Sequence, residues 1–140
     1  MGPPVEVIVD AGPIIAWLRA SDEWREWSTA TIEAYDRPLH LTEIVLGEAC
    51  HLLGATTPAV HRLLSYVRAG GLILHPLWPV HLARCQELML KYDFMDPADA
   101  SLVVLSELHP AAALLTVDHH FRLYRRFRRQ PLPVSMPPGR

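Results

Sequence analysis

Two stretches of this chain end in the same way, with an apolar run that stops at an aspartate. VEVIV at 5–9 leads into Asp10, and AALLTV at 112–117 leads into Asp118. Both runs are short and nearly continuous in apolar character, the pattern of a strand buried on both faces. Helix-compatible segments lie between them, and strands alternating with helices point to a parallel sheet covered on both sides. In such sheets ligand sites lie beyond the carboxyl ends of the strands. Two parallel strands of this kind would bring both aspartates to one edge. Either aspartate alone also fits a plain helix cap, but capping gives no reason for the two strands to be neighbours.

The segments between the runs carry helix and strand punctuation. Ala11 to Ala20 reads as a helix, with Pro13 tolerated in its first turn. Ser21 or Asp22 caps a second helix that carries Trp24, Trp27, Thr31 and Ala34 on one face. Leu39 to Leu41 is a short extended piece before a helix from about Thr42 to Leu53, closed by Gly54. Pro58 opens a further helix that ends at Gly70-Gly71, and LILH at 72–75 is a strand. Helices are expected from about Val80 to Tyr92 and from Pro97 to near Leu108, where Pro110 prevents continuation. A basic helix after Asp118 and an edge strand around Leu132 to Ser135 complete the pattern. Proline-rich ends, Met1 to Pro4 and Pro131 to Arg140, frame a stretch with no repeat or linker, so residues 1–140 read as one domain.

Half of the residues are hydrophobic, enough for a sizeable core. No apolar run approaches the roughly 18 residues that cross a bilayer, and the N-terminus shows no secretory pattern. A cytoplasmic protein without a membrane partner is therefore expected. Cys50 and Cys85 lack metal-ligand spacing. They fit two reduced thiols better than one disulfide. The net charge of −2 gives no overall attraction to nucleic acid, yet six arginines follow residue 121, while Lys91 is the only lysine. These arginines form either a local basic face or a solvated helix surface.

Three more acids extend the pattern. On a helical wheel Glu48 lies one turn from Ile44 and Leu52, on a mainly apolar stripe, whereas Glu43 falls on the polar side and reads as solvated. An inward carboxylate is costly unless a cation compensates it; the alternative is a flank position with a snorkelling side chain. In MDPADASL, Asp96 reads as an N-cap, Pro97 as the first helical residue, and Asp99 as the third. Four or five carboxylates at one place must take up protons or bind a cation. Oxygen-only ligation favours Mg²⁺ or Mn²⁺ over zinc. Such ions activate water and stabilise charge on phosphate, which makes phosphodiester hydrolysis the natural chemistry. The 8 histidines and 4 tryptophans read as surface or packing residues, including His51, one turn from Glu48, and the adjacent His119 and His120. Neither a phosphate-binding glycine loop nor a GxSxG nucleophile elbow is present.

On these residues the chain resembles the PIN-domain nucleases, particularly the VapC-type ribonuclease toxins of prokaryotes and their close relatives. VDAGPIIAWL resembles the first motif, the spacing from Thr42 to Glu48 the second, DPADASLVVLSEL the third and LLTVDHHFRLYR the fourth. Together these motifs cover nearly the whole chain in order. The resemblance implies Asp10, Glu48, Asp99 and Asp118 as catalytic, metal-binding acids. It also implies Thr116 as a polar support beside Asp118, and it favours Asp96 as the cap, which leaves Asp96 only an additional candidate ligand. It further implies a three-layer α/β/α domain with a central, mainly parallel sheet, often a homodimer, with RNA as substrate and a cognate antitoxin as partner for the toxins. Arg122, Arg125 and Arg126 are the candidate RNA contacts. Gly12 departs from the Ser or Thr common two places after the first acid. A non-toxin RNA-processing nuclease of the same fold falls within the same class, and a non-catalytic RNA- or protein-binding module stands outside it. A phosphotransfer domain is disfavoured, because no second Asp stands two residues after Asp10.

Overall fold

The computed structural model describes residues 4–139; Met1, Gly2, Pro3 and Arg140, parts of the proline-rich ends, lie outside them. In chain order the elements are β1 (Val7–Val9), α1 (Ala11–Leu18), α2 (Arg25–Glu33), β2 (Leu39–Thr42), α3 (Glu43–Leu53), α4 (Pro58–Arg68) and β3 (Leu72–His75). They continue with α5 (Leu82–Lys91), α6 (Pro97–Leu108), β4 (Ala113–Leu115), β5 (Arg125–Arg126), β6 (Gln130–Pro131) and β7 (Val134–Ser135). Each predicted strand and the first six predicted helices are present, with ends trimmed by a few residues. Pro58 and Pro97 sit in the first turns of α4 and α6, and Gly54, at φ 93°, closes α3.

The main sheet has five strands in the order β3-β2-β1-β4-β7, and every neighbouring pair is parallel. By the right-handed rule for parallel crossovers, α1 to α4 fall on one face as the strand order advances from β1 to β3. The return from β3 to β4 places α5 and α6 on the other face, which gives three layers, α/β/α. The order reverses between β1 and β4, the switch point where ligands collect in open parallel sheets. There Val9 is in register with Leu115, and the Asp10 N–H donates to the Leu115 carbonyl at 2.9 Å. The carboxyl ends of these two strands are thus tied together.

Helix α6 is enclosed on all sides, with every residue from Ala98 to Ser106 buried. Its polar members are paired, which makes this burial tolerable. The Ser101 hydroxyl donates to the Ala98 carbonyl at 2.7 Å, and its oxygen lies 2.8 Å from the Thr42 hydroxyl. Thr42 Oγ1 also accepts the Val45 N–H at 3.1 Å, capping α3. One short chain of hydrogen bonds therefore ties the first turn of α3 to the first turns of α6.

Three expectations require correction. No α-helix follows Asp118: a 3₁₀ turn over His119–Arg122 leads into an antiparallel hairpin of β5 and β6. Phe127 and Arg128, at φ 49° and 70°, form its left-handed turn. Arg126, predicted as an RNA contact, is only 5% exposed. Its Nη1 donates to the Ser106 carbonyl and hydroxyl at 3.1 and 3.0 Å, and its Nε to Gln130 Oε1 at 2.9 Å. A guanidinium at the end of a helix satisfies carbonyls that have no partner within it, so this arginine holds the hairpin against α6. Glu43 is not a solvated residue either. Its carboxylate accepts the Leu77 and Trp78 N–H groups at 2.7 and 3.1 Å. The buried stripe of α3 is Val45, Ala49 and Leu53; Leu52 is exposed, and Glu48 flanks that stripe half-buried.

Truncating Arg126 leaves buried acceptors unpaired. Arg126→Ala should cost about 2–4 kcal/mol in urea denaturation, whereas Arg129→Ala, at an exposed position, should stay within about 0.5 kcal/mol. Equal, small losses in both variants would remove Arg126 from the structural framework.

Candidate active site

Asp10 ends β1 and caps α1. Its carboxylate accepts the Ala11 N–H on Oδ1 and the Thr116 hydroxyl on Oδ2, each at 2.8 Å. Thr116 follows β4, and its oxygen in turn accepts the Asp118 N–H at 3.0 Å. A single buried hydroxyl thus links the two aspartates that end the paired strands. Asp118 is half-exposed; its Oδ1 accepts the His120 N–H at 2.9 Å and lies 3.3 Å from the His120 ring Nδ1. Asp96 caps α6 as expected, accepting the Asp99 N–H at 2.8 Å. Asp99 is 8% exposed, and its Oδ2 accepts the hydroxyl of the buried Tyr124 at 2.6 Å. Tyr124 was not singled out from the sequence, since one tyrosine in a basic segment carries no signal of where its hydroxyl will point.

The acids act on one another electrostatically. Burial pushes Asp10 up to about 6, against the hydrogen bonds from Thr116 and Ala11, and the charges of Asp118 and Asp96 push it further. Glu48 rises to about 7 by burial and then by Asp10, Asp96 and Asp118. Asp99 rises to about 8, chiefly by burial, with Tyr124 opposing and Asp96, Asp10 and Asp118 adding to it. Asp10, Glu48, Asp96, Asp99 and Asp118 therefore share one field. Asp96 belongs to it as well as capping the helix. Tyr124 is pushed upward by burial and by Asp99, so it stays a hydrogen-bond donor.

This set consists of hard oxygen donors whose charges oppose one another, the donor chemistry that suits a small divalent cation. Among the described residues, no three His, Cys, Asp or Glu side chains already stand in a closed ligand arrangement. Asp10 and Asp99 are held instead by Ala11, Thr116 and Tyr124. Gly12, where a hydroxyl residue was expected by resemblance, lies against the loop after β4. A Cβ there would stand 2.6 Å from Val117 Cγ2, so a side chain at this position would require Val117 to shift. His51 is exposed, and Arg125 turns its Nη1 onto the carbonyls of Arg122, Leu123 and Tyr124 at 2.9, 3.3 and 3.0 Å.

The PIN domain family model matches residues 7–126 of the chain. The solved structure of VapC20 from Mycobacterium tuberculosis, described as a toxin that cleaves the sarcin-ricin loop, superposes with a TM-score of 0.67 at 15% identity. The match covers 78% of this chain and 87% of that one. At this identity the likeness is one of fold. Among curated protein sequences none matches the chain significantly.

The raised carboxyls make stability pH-dependent with a definite sign. A folded state that keeps protons which the unfolded chain has lost is most stable at low pH, and it loses that stability as pH rises through the folded values. His40, His75 and His109 pack together, and their lowered values act in the opposite sense below about 6.5. Well above that pH they are neutral in both states, so the carboxyls dominate. In chelator, the melting temperature should fall by roughly 5 °C between pH 6.5 and 8.5. Asp99→Asn, which still accepts from Tyr124, should flatten the slope. An unchanged slope in that variant would mean that Asp99 is already ionised at pH 6.5.

Proposed function

The chain belongs to the PIN-domain family, and on that premise we propose that it is a divalent-metal-dependent endoribonuclease, of the kind found as VapC-type toxins. The observation that carries this reading is the shared field of the carboxylates of Asp10, Glu48, Asp99 and Asp118 at the sheet's switch point, each raised acid feeling Asp10, Asp118 or both. Asp10, Glu48, Asp99 and Asp118, with Asp96 in reserve, would hold Mg²⁺ or Mn²⁺, which when bound would activate water and offset charge on the phosphate. The chain's own residues do the positioning. Thr116 fixes Asp10 relative to Asp118, and Tyr124 aims Asp99. The Thr42–Ser101 pair sets α3, and with it Glu48, against the start of α6.

RNA is the proposed substrate, supported by the family and by the fold shared with a toxin described as cleaving the sarcin-ricin loop. Arg122 and Arg125, which follow Asp118, would offer positive charge to its backbone. A cognate antitoxin, a homodimeric state and a cytoplasmic location belong to the same proposal. Among the described residues no helix is long and apolar enough to cross a membrane. A stand-alone RNA-processing nuclease would use the same acids, whereas a binding module would not need them ionised.

Cleavage of a mixed RNA pool separates these readings. Activity should require Mg²⁺ or Mn²⁺ and disappear in chelator, and Asp10→Asn should lower it by at least about 100-fold, a loss typical of a removed charge-stabilising group. The two acids of the third motif should divide in role. Asp96→Ser keeps a cap and most of the activity, while Asp99→Asn keeps the fold and loses activity. Metal-independent RNA binding that tolerates all four acid-to-amide changes would establish an adaptor instead.

A further inference from the structure

The aromatic surface at the edge of the acid cluster is not used by this mechanism. Phe94 stands two residues before Asp96, in the loop that leads into α6, and 46% of it is exposed. Its ring centroid is 4.6 Å from that of His120 and 5.6 Å from that of Tyr124, nearly parallel to the latter at 15°. His120 is also open to solvent, and its backbone and ring nitrogens both lie on Asp118 Oδ1. Tyr124, beneath them, donates to Asp99. The exposed rings therefore bridge the two arms of the site, the loop bearing Asp96 and Asp99 and the loop bearing Asp118.

We propose that Phe94, flanked by His120, is a stacking platform for an unpaired nucleobase of single-stranded RNA whose phosphate lies at the acid cluster. This rests on the RNA-hydrolysing reading and assigns to one residue the contact with a base beside the scissile phosphate. An exposed phenyl ring forgoes burial that would otherwise stabilise the fold. A ring braced from below by Tyr124 is held in place before any ligand arrives, so stacking on it costs little ordering. A nucleotide presents a flat π-face and a phosphate within one ligand, and this edge presents rings and carboxylates side by side. Stacking accepts any base and needs the base to be out of a duplex. An apolar side chain of a protein partner would have to be buried beside several carboxylates, an unfavourable neighbourhood.

The test uses single-stranded RNA containing 2-aminopurine, bound in Mg²⁺ to the full chain carrying Asp10→Asn so that the RNA stays intact. Binding should quench the fluorescence. Adding Phe94→Leu should abolish the quench and weaken affinity by roughly tenfold, the range of a single base–aromatic stack. Phe94→Trp should retain both, and a duplex of the same sequence should give neither. Melting temperatures near that of the parent would show that the leucine variant is folded. Quench and affinity unchanged by Phe94→Leu, or no RNA binding by any variant, would overturn the platform. Cleavage by the unmutated chain is scored separately. Cleavage without dependence on Phe94 leaves the nuclease reading standing alone, and stacking without cleavage in any divalent ion leaves the platform standing alone.

Discussion

The parallel pairing of β1 with β4 is the constraint on which the rest of the site depends. Strands more than a hundred residues apart in sequence are brought into register at Val9 and Leu115, and the next residue on each, Asp10 and Thr116, meets its neighbour through a buried hydroxyl. Because the sheet's order reverses there, no crossover helix covers the gap between them, and the carboxyl ends of both strands open into it. The same hydroxyl then accepts the Asp118 N–H. A slip of one residue in this pairing would turn Asp10 away from Thr116, since side chains alternate faces along a strand.

Holding acids together in a buried place works against the fold, and the structure meets that cost with donors rather than with basic partners. Asp10 has a backbone N–H and a threonine, Asp99 has a tyrosine, and Asp118 has a backbone N–H with an imidazole beside it. The bonds to Asp10 and Asp99 lower their carboxyl values, yet burial and mutual repulsion still prevail, leaving Asp10, Glu48 and Asp99 well above the ordinary carboxylate range. Carboxyls arranged in this way either keep their protons or hold a cation, the second being the proposed reading. Arginines are numerous nearby in sequence, but Arg126 is committed to α6, and Arg125 turns one arm of its guanidinium to backbone carbonyls.

Helix α6 carries this arrangement through the molecule. Its first turn bears Asp99, its second is tied through Ser101 to the cap of α3, and its last turn is held to the hairpin by Arg126, which donates to the Ser106 carbonyl, and by Glu107, which accepts the Phe127 N–H. Glu107 is itself held by Arg84 of α5 through two hydrogen bonds, at 3.0 and 2.8 Å. A helix buried on every side cannot shift without disturbing all of these contacts, so the acid at its start is set by packing along its whole length.

The sequence alone was enough for the alternation of strands and helices, their punctuation by proline and glycine, and the cap at Asp96. These follow from local rules: apolar runs, fixed backbone angles and side chains that bond the next few N–H groups. Asp10 and Asp118 were legible as a pair for the same reason, since each stands at the end of its own strand. What the chain does after Asp118 was not legible. Arg126, Phe127 and Glu107 decide it through bonds between residues about twenty positions apart, and no local pattern records such partners. Glu43 and Tyr124 escaped for the same reason, because a carboxylate on a polar helix face and a tyrosine in a basic run look solvated until the loop or helix they bind is brought to them. Local propensity wrote the elements, while long-range register and packing decided which polar groups would meet, because a hydrogen bond depends on where atoms finally stand and not on which residues precede them.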